Sequence, residues 1–144
     1  MTYYIIIDTN VIISAMLKKN TPPSEILKEV FSGNVIPVVN DEILKEYREV
    51  LSRKKFGFDP ETIQIILNEL EKKAVFYDRL SADVSEMPDK DDIVFYEVTL
   101  YMRQSEETFL VSGNLKHFPQ KPFIVSPREF LEILRGNQNE QTNQ

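Results

Sequence analysis

The chain has 144 residues and a mass of 16.8 kDa, which suits one domain and leaves no room for a barrel of about 250 residues. It has no cysteine and one histidine, so disulfide scaffolds, thiolate metal sites, thiol nucleophiles and sites of two or more imidazoles are excluded. The net charge is −6, which argues against a broad basic footprint for nucleic acid but does not forbid a local phosphate site.

The hydrophobic fraction is 42%, with nine Phe and six Tyr, the composition of a folded core rather than a disordered chain. Apolar runs are a few residues long, against about 20 for a membrane span. The amino end lacks a basic segment followed by an apolar core, so no secretion signal is expected. A cytoplasmic location without membrane attachment is the expectation, and the lack of cysteine fits a reducing compartment.

In chain order, Tyr3 to Ile7 is a β-branched apolar run ending at Asp8, as expected for a central parallel strand. Val11, Ile12, Ala15, Met16 and Leu17 follow at helical spacing. Pro22-Pro23 opens a second helix that ends at Gly33-Asn34. Val35 to Val39 is a second strand, whose Pro37 suggests a peripheral or irregular place in the sheet. Asn40 is an N-cap for a helix carrying Ile43, Leu44, Tyr47, Val50 and Leu51. Asp59-Pro60 starts the next helix, and Ala74 to Tyr77 is a third strand. An acidic loop from Asp83 to Asp92 leads into a helix from about Asp91 to Arg103. Thr108 to Val111 is a fourth strand, broken at Ser112-Gly113-Asn114, and Phe123 to Val125 is a fifth. Ser126-Pro127-Arg128-Glu129 is a capping box for a last helix that stops at Gly136. Residues 1–136 are expected to form the domain and 137–144 a flexible polar tail. The alternation predicts a three-layer α/β/α sandwich with a mostly parallel sheet of about five strands.

Open α/β sheets place their sites outside the carboxyl ends of the strands. That rule selects Asp8 after the first strand, Asp89, Asp91 and Asp92 after the third, and Asn114 after the fourth. Glu46 lies roughly two turns into the helix after the second strand, with Glu42 and Glu49 as competing carboxylates. Converging carboxylates need a cation, and Mg2+ or Mn2+ suits oxygen ligands. Such ions support phosphodiester hydrolysis by water.

Each group also has a plain structural use. Asp8 can end a strand, the Asp89–Asp92 cluster can complement a helix dipole, and Asn114 can form a turn beside Gly113. His117 is a loop residue or a phosphate contact, and Thr9 and Asn10 either orient Asp8 or cap the next helix. Residues 1–60 balance eight basic and eight acidic groups, whereas residues 61–144 carry nine basic and fifteen acidic. Arg48, Arg53, Lys54 and Lys55 form the notable basic cluster, either a solvated face or an RNA path.

Taken together, Ile5-Ile6-Ile7-Asp8-Thr9-Asn10-Val11, Glu46 within Asn40–Leu51, Lys90-Asp91-Asp92 and Val111-Ser112-Gly113-Asn114 resemble the PIN-domain family. The resemblance runs from Tyr3 to about Leu134. The segments Leu115-Lys116-His117-Phe118-Pro119 and Ser126-Pro127-Arg128-Glu129-Phe130-Leu131 are similar to the small prokaryotic branch of toxin components of toxin–antitoxin pairs. The resemblance implies a metal-dependent endoribonuclease in which Asp8, Glu46 and Asp92 are catalytic, with Asp91 as the adjacent alternative. It implies Mg2+ or Mn2+ held by Asp8, Glu46, Asp91, Asp92 and Asn114, where Asn114 puts an amide at the family's fourth acidic position. Thr9, Asn10, Ser112 and His117 then support those ligands or contact substrate. It further implies an RNA substrate, a homodimer and a cognate antitoxin protein.

A catalytically weak or inactive RNA-binding or regulatory protein on the same fold is the alternative, and the amide at Asn114 suits it. A receiver or phosphatase also uses strand-end aspartates, but Lys116 is poorly placed for a receiver lysine. A dinucleotide-binding domain fits poorly, because no Gly-rich fingerprint follows the first strand.

Overall fold

The computed structural model describes residues 2–77 and 92–142. Tyr4–Ile7 forms β1, in which Ile5, Ile6 and Ile7 are all buried. A strand apolar on both faces must be covered on both, and β1 accordingly lies at the centre of the sheet. The other strands are β2 (Ile36–Val39), β3 (Val75–Phe76), β4 (Thr108–Val111) and β5 (Ile124–Val125). They stand in the order β3-β2-β1-β4-β5, and every pairing is parallel. The longest register joins Tyr4–Ile7 to Thr108–Val111 residue for residue, so β1 and β4 end side by side. The chain winds one way from β1 to β2 and β3, then the other way to β4 and β5. The crevice at this reversal lies between β1 and β4.

Among the described residues, six α-helices cover the sheet: α1 (Thr9–Leu17), α2 (Pro22–Phe31), α3 (Asp41–Leu51), α4 (Pro60–Lys73), α5 (Ile93–Arg103) and α6 (Pro127–Thr142). The result is the expected α/β/α three-layer sandwich with a five-stranded parallel sheet. The helix starts follow the cap chemistry read from the sequence. Asn40 Oδ1 accepts from the Ile43 N–H at 2.8 Å, and Asp59 Oδ2 accepts from the Thr62 N–H at 3.2 Å. Ser126 and Glu129 close a reciprocal box at 3.1 and 2.8 Å. Gly33, at φ +81°, takes the left-handed turn after α2. Tyr3, Phe109 and Phe130 meet edge to face, with ring centroids 5.5–6.0 Å apart, and lock α6 onto the sheet.

Two details differ from the sequence expectation. Pro37 is not peripheral: β2 lies between β1 and β3. The Ile36 N–H donates to the Tyr3 carbonyl, and the Val39 carbonyl accepts from the Tyr77 N–H. Alternation along the strand therefore turns Pro37 toward β3, whose pairing begins only at Val38, so no ladder bond is lost. The last helix also runs beyond Gly136 to Thr142. Gly136 keeps a negative φ, so it weakens that turn without ending it. No described helix is long and apolar enough to cross a membrane.

Candidate functional site

Asp8 follows β1 directly, and its own N–H donates to the Val111 carbonyl at 2.9 Å. The β1–β4 register thus sets Asp8 beside Ser112, across the crevice. Both residues are buried, Asp8 at 5% exposure and Ser112 at 0%. The Ser112 hydroxyl donates to Asp8 Oδ2 at 2.7 Å and accepts from the Asn114 N–H at 2.9 Å. Asn10 works from the other side: its Nδ2 donates to Asp8 Oδ2 at 3.2 Å, and its Oδ1 accepts from the Gly113 N–H at 3.0 Å. A Cβ on Gly113 would lie 3.3 Å from Asn10 Oδ1, so glycine permits this close approach.

Burial pushes the Asp8 carboxyl above the ordinary carboxylate range. The Ser112 hydrogen bond and the backbone N–H groups of Thr9 and Asn10 oppose that rise without cancelling it. Thr9 helps through its backbone. Its Oγ1 is buried without a hydrogen-bond partner, so the hydroxyl neither orients Asp8 nor caps α1.

The network continues past Asn114. Asn114 Nδ2 donates to His117 Nε2 at 2.9 Å, and His117 Nδ1 stands 3.3 Å from Asp92 Oδ2. A proton on Nδ1 satisfies both contacts. Asp92 is the N-cap residue of α5, with its side chain 16% exposed. The loop after β4 thereby connects Asp8 to Asp92 through Ser112, Asn114 and His117. The acidic segment ahead of Asp92, with Asp89 and Asp91, lies outside the described residues.

Glu46 lies on α3, next to Tyr47 in the chain. Its neighbour Tyr47 is fully buried and donates its hydroxyl to the Ile7 carbonyl at 2.6 Å, clamping α3 to the end of β1. Burial and the nearby Asp8 charge drive the Tyr47 phenol far above its usual range, so it stays a neutral donor. Glu46 is half-buried, whereas Glu42 and Glu49 are exposed, which distinguishes three carboxylates that periodicity alone left equal. Glu97 on α5 was not singled out by sequence. Its carboxyl is pushed up by burial and by the charge of Glu42, so acidic groups of α3 and α5 face one another. The hydrogen bond of Tyr47 has no sequence signal, because a phenol at helical spacing looks like any core residue.

The basic residues lie elsewhere on α3 and after it. Arg48 is exposed in the last turn, and Arg53 pairs with Glu49 at 3.9 Å with both side chains more than half exposed. Such a pair contributes little. Lys54 and Lys55 lie in a 3-10 turn, with Lys55 Nζ 5.2 Å from the Phe56 ring centre. This cluster follows the end of α3 opposite Asn40, about 16 Å of helix away.

The donor set of Asp8, Glu46, Asp92 and Asn114 is all hard oxygen, which fits Mg2+ or Mn2+ in kind. A desolvated carboxylate with its pKa raised, beside a residue whose buried hydroxyl lacks a partner, also fits a cation. Among the described residues, no three His, Asp or Glu side chains are gathered closely enough to hold a metal ion as they stand.

A comparison with curated proteins finds no match. The family model described as a PIN domain matches residues 4–116, which span β1 to β4 and the whole Asp8–Asp92 network except His117. On that match, and on a parallel sheet whose crevice carries the strand-end aspartate, the chain belongs to the PIN-domain family, a nuclease-type superfamily.

Proposed function

We propose that this chain is a metal-dependent endoribonuclease of the small prokaryotic toxin branch, hydrolysing RNA phosphodiester bonds as a homodimer held in check by a cognate antitoxin. The observation that carries the reading is Asp8. A carboxylate buried at the sheet's crevice, held on one oxygen by Ser112 and Asn10, is costly to keep charged unless its charge is used. Asp8, Glu46 and Asp92, with Asp91 or Asn114 completing the set, would hold Mg2+ or Mn2+. When bound, the ion supplies Lewis acidity at the scissile phosphate and lowers the pKa of water for attack.

The chain's own residues do the positioning. Ser112 and Asn10 fix the Asp8 carboxylate. Tyr47 fixes the helix that carries Glu46. His117 holds Asp92 and the Asn114 amide in one row along the crevice. The Asn114 amide then orients substrate phosphate or water. The basic residues Arg48, Arg53, Lys54 and Lys55 contact flanking RNA.

The test is an incubation of the purified chain with RNA in Mn2+ and in EDTA. Cleavage in Mn2+ that EDTA abolishes supports the reading, and intact RNA in both contradicts it. The second reading is a catalytically weak RNA-binding or regulatory protein. It is favoured by the Asn114 side chain, an amide already donating to His117. RNA binding without cleavage under the same conditions selects it.

A further inference from the structure

Three neighbouring strands are each followed by a buried polar residue: β2 by Asn40, β1 by Asp8 and β4 by Ser112. The β1–β2 register joins Tyr4 to Ile36 and Ile5 to Pro37. Carried to the strand ends, it sets Asn40 level with Asp8, as the β1–β4 register does for Ser112. A continued ladder would bring the Asn40 N–H to the Ile7 carbonyl. The Tyr47 hydroxyl takes that carbonyl instead, so the ladder stops at Val39 and Asn40 is released from β1. Asn40 Oδ1 accepts from the Ile43 N–H, which fixes the amide: the oxygen must face that N–H, and Nδ2 occupies the other branch. Among the described residues Nδ2 makes no hydrogen bond. Nor is it sealed off, since Thr9 Oγ1 is the one unpartnered side-chain atom among them that is fully buried. A donor left without an acceptor on a residue only 3% exposed is costly unless a ligand supplies that acceptor.

We infer that Asn40 is a substrate-contacting residue, whose Nδ2 donates a hydrogen bond to a non-bridging oxygen of the RNA phosphate held at Asp8. The inference rests on the ribonuclease reading and deepens it by adding a neutral donor on the β2 side of the crevice. An amide NH2 only donates, so its partner must be an acceptor. The Asp8 carboxylate is already held by Ser112 and Asn10, and a metal-bound water offers protons rather than lone pairs. A phosphate oxygen is the acceptor that an RNA strand brings there, and Asn side chains are regular donors to phosphate. The start of α3 is not itself the attraction, because its first turn carries Asp41 and Glu42, both exposed. A neutral amide suits such surroundings, since it meets a phosphate without first pairing with the nearby carboxylates as a lysine would.

The test compares the full chain as wild type, Asn40→Ser and Asn40→Asp. It reads urea denaturation, the Mn2+ shift in thermal unfolding, and single-turnover cleavage of a fluorescein-labelled 12-nucleotide single-stranded RNA in Mn2+. Both variants keep a capping oxygen and lack the NH2. Asn40→Ser is expected to slow cleavage about 10–100-fold, the loss of one hydrogen bond to a charged group, with the urea midpoint and the Mn2+ shift close to wild type. Asn40→Asp, which puts a carboxylate where the donor stood, is expected to cleave more slowly still. A wild-type rate in Asn40→Ser overturns the inference and leaves the ribonuclease reading standing. A Mn2+ shift that falls along with the rate overturns it too, because Asn40 then acts through the metal ligands. If Asn40→Ser is destabilised, Asn40→Asp decides: a slow rate at the wild-type midpoint supports the contact, and a wild-type rate overturns it. If wild type leaves the RNA intact, the ribonuclease reading falls, and anisotropy of the same RNA in Mn2+ decides the contact. Binding weakened in Asn40→Ser then keeps it, and equal binding overturns it.

Discussion

At Asp8 the charge that the proposed metal role needs opposes the stability of the fold. Its folded-state pKa is raised by burial, so the folded chain binds this proton more tightly than the unfolded chain does. Stability from this group is therefore present at low pH and is lost as pH rises from the ordinary carboxylate value through the raised one. Asp8→Asn removes the charge and keeps an oxygen that can accept from Ser112. In EDTA at pH 7 the variant is expected to unfold at a higher temperature than wild type, with the gap closing below about pH 4. A lower midpoint at pH 7 contradicts the burial argument. Ser112→Ala probes the support instead. Removing a hydrogen bond that orients a ligand typically costs about 10–100-fold in metal affinity or activity. The same drop is expected in a Mn2+ titration of cleavage, and wild-type behaviour removes Ser112 from the positioning role.

At the scale of the element, α3 joins the caps to the site. Its start is fixed by Asn40, which is 3% exposed, and its middle by the Tyr47 hydroxyl on Ile7. Asn40→Ala is expected to cost about 0.5–2 kcal/mol of unfolding free energy, and Tyr47→Phe about 1–3 kcal/mol, because the latter leaves a buried carbonyl unpaired. Urea denaturation measures both, and a loss below about 0.3 kcal/mol in Tyr47→Phe contradicts the clamp. Helix starts were legible because caps are local chemistry: Asn40, Asp59 and Ser126 each bond within three residues. The place of Pro37 was not, since it depends on which neighbour the strand's N–H groups face. Gly136 misled for a related reason, because glycine permits a left-handed end without imposing one.

For the whole molecule, the order β3-β2-β1-β4-β5 makes the site by bringing residues 8 and 112 to one crevice. The strand-end position of Asp8 was readable from a run of five apolar residues. The contact of His117 with Asp92 was not, because it forms between a loop and a helix start that only the folded sheet brings together. Glu97 and Tyr47 were hidden likewise, as their roles come from helix packing rather than spacing. The net charge of −6 also reads differently once placed. Acidic groups of α3 and α5 face one another at Glu42 and Glu97. A chain built this way is expected to be stabilised by Mn2+, which neutralises charge only in the folded state, and Asp8→Asn should blunt that shift in thermal unfolding. The most direct test of the central claim is single-turnover cleavage of RNA in Mn2+ by wild type and Asp8→Asn, side by side. The account predicts cleavage by wild type and a loss of at least about 100-fold in the variant, beyond what a merely supporting residue costs. Equal rates in the two proteins would contradict it.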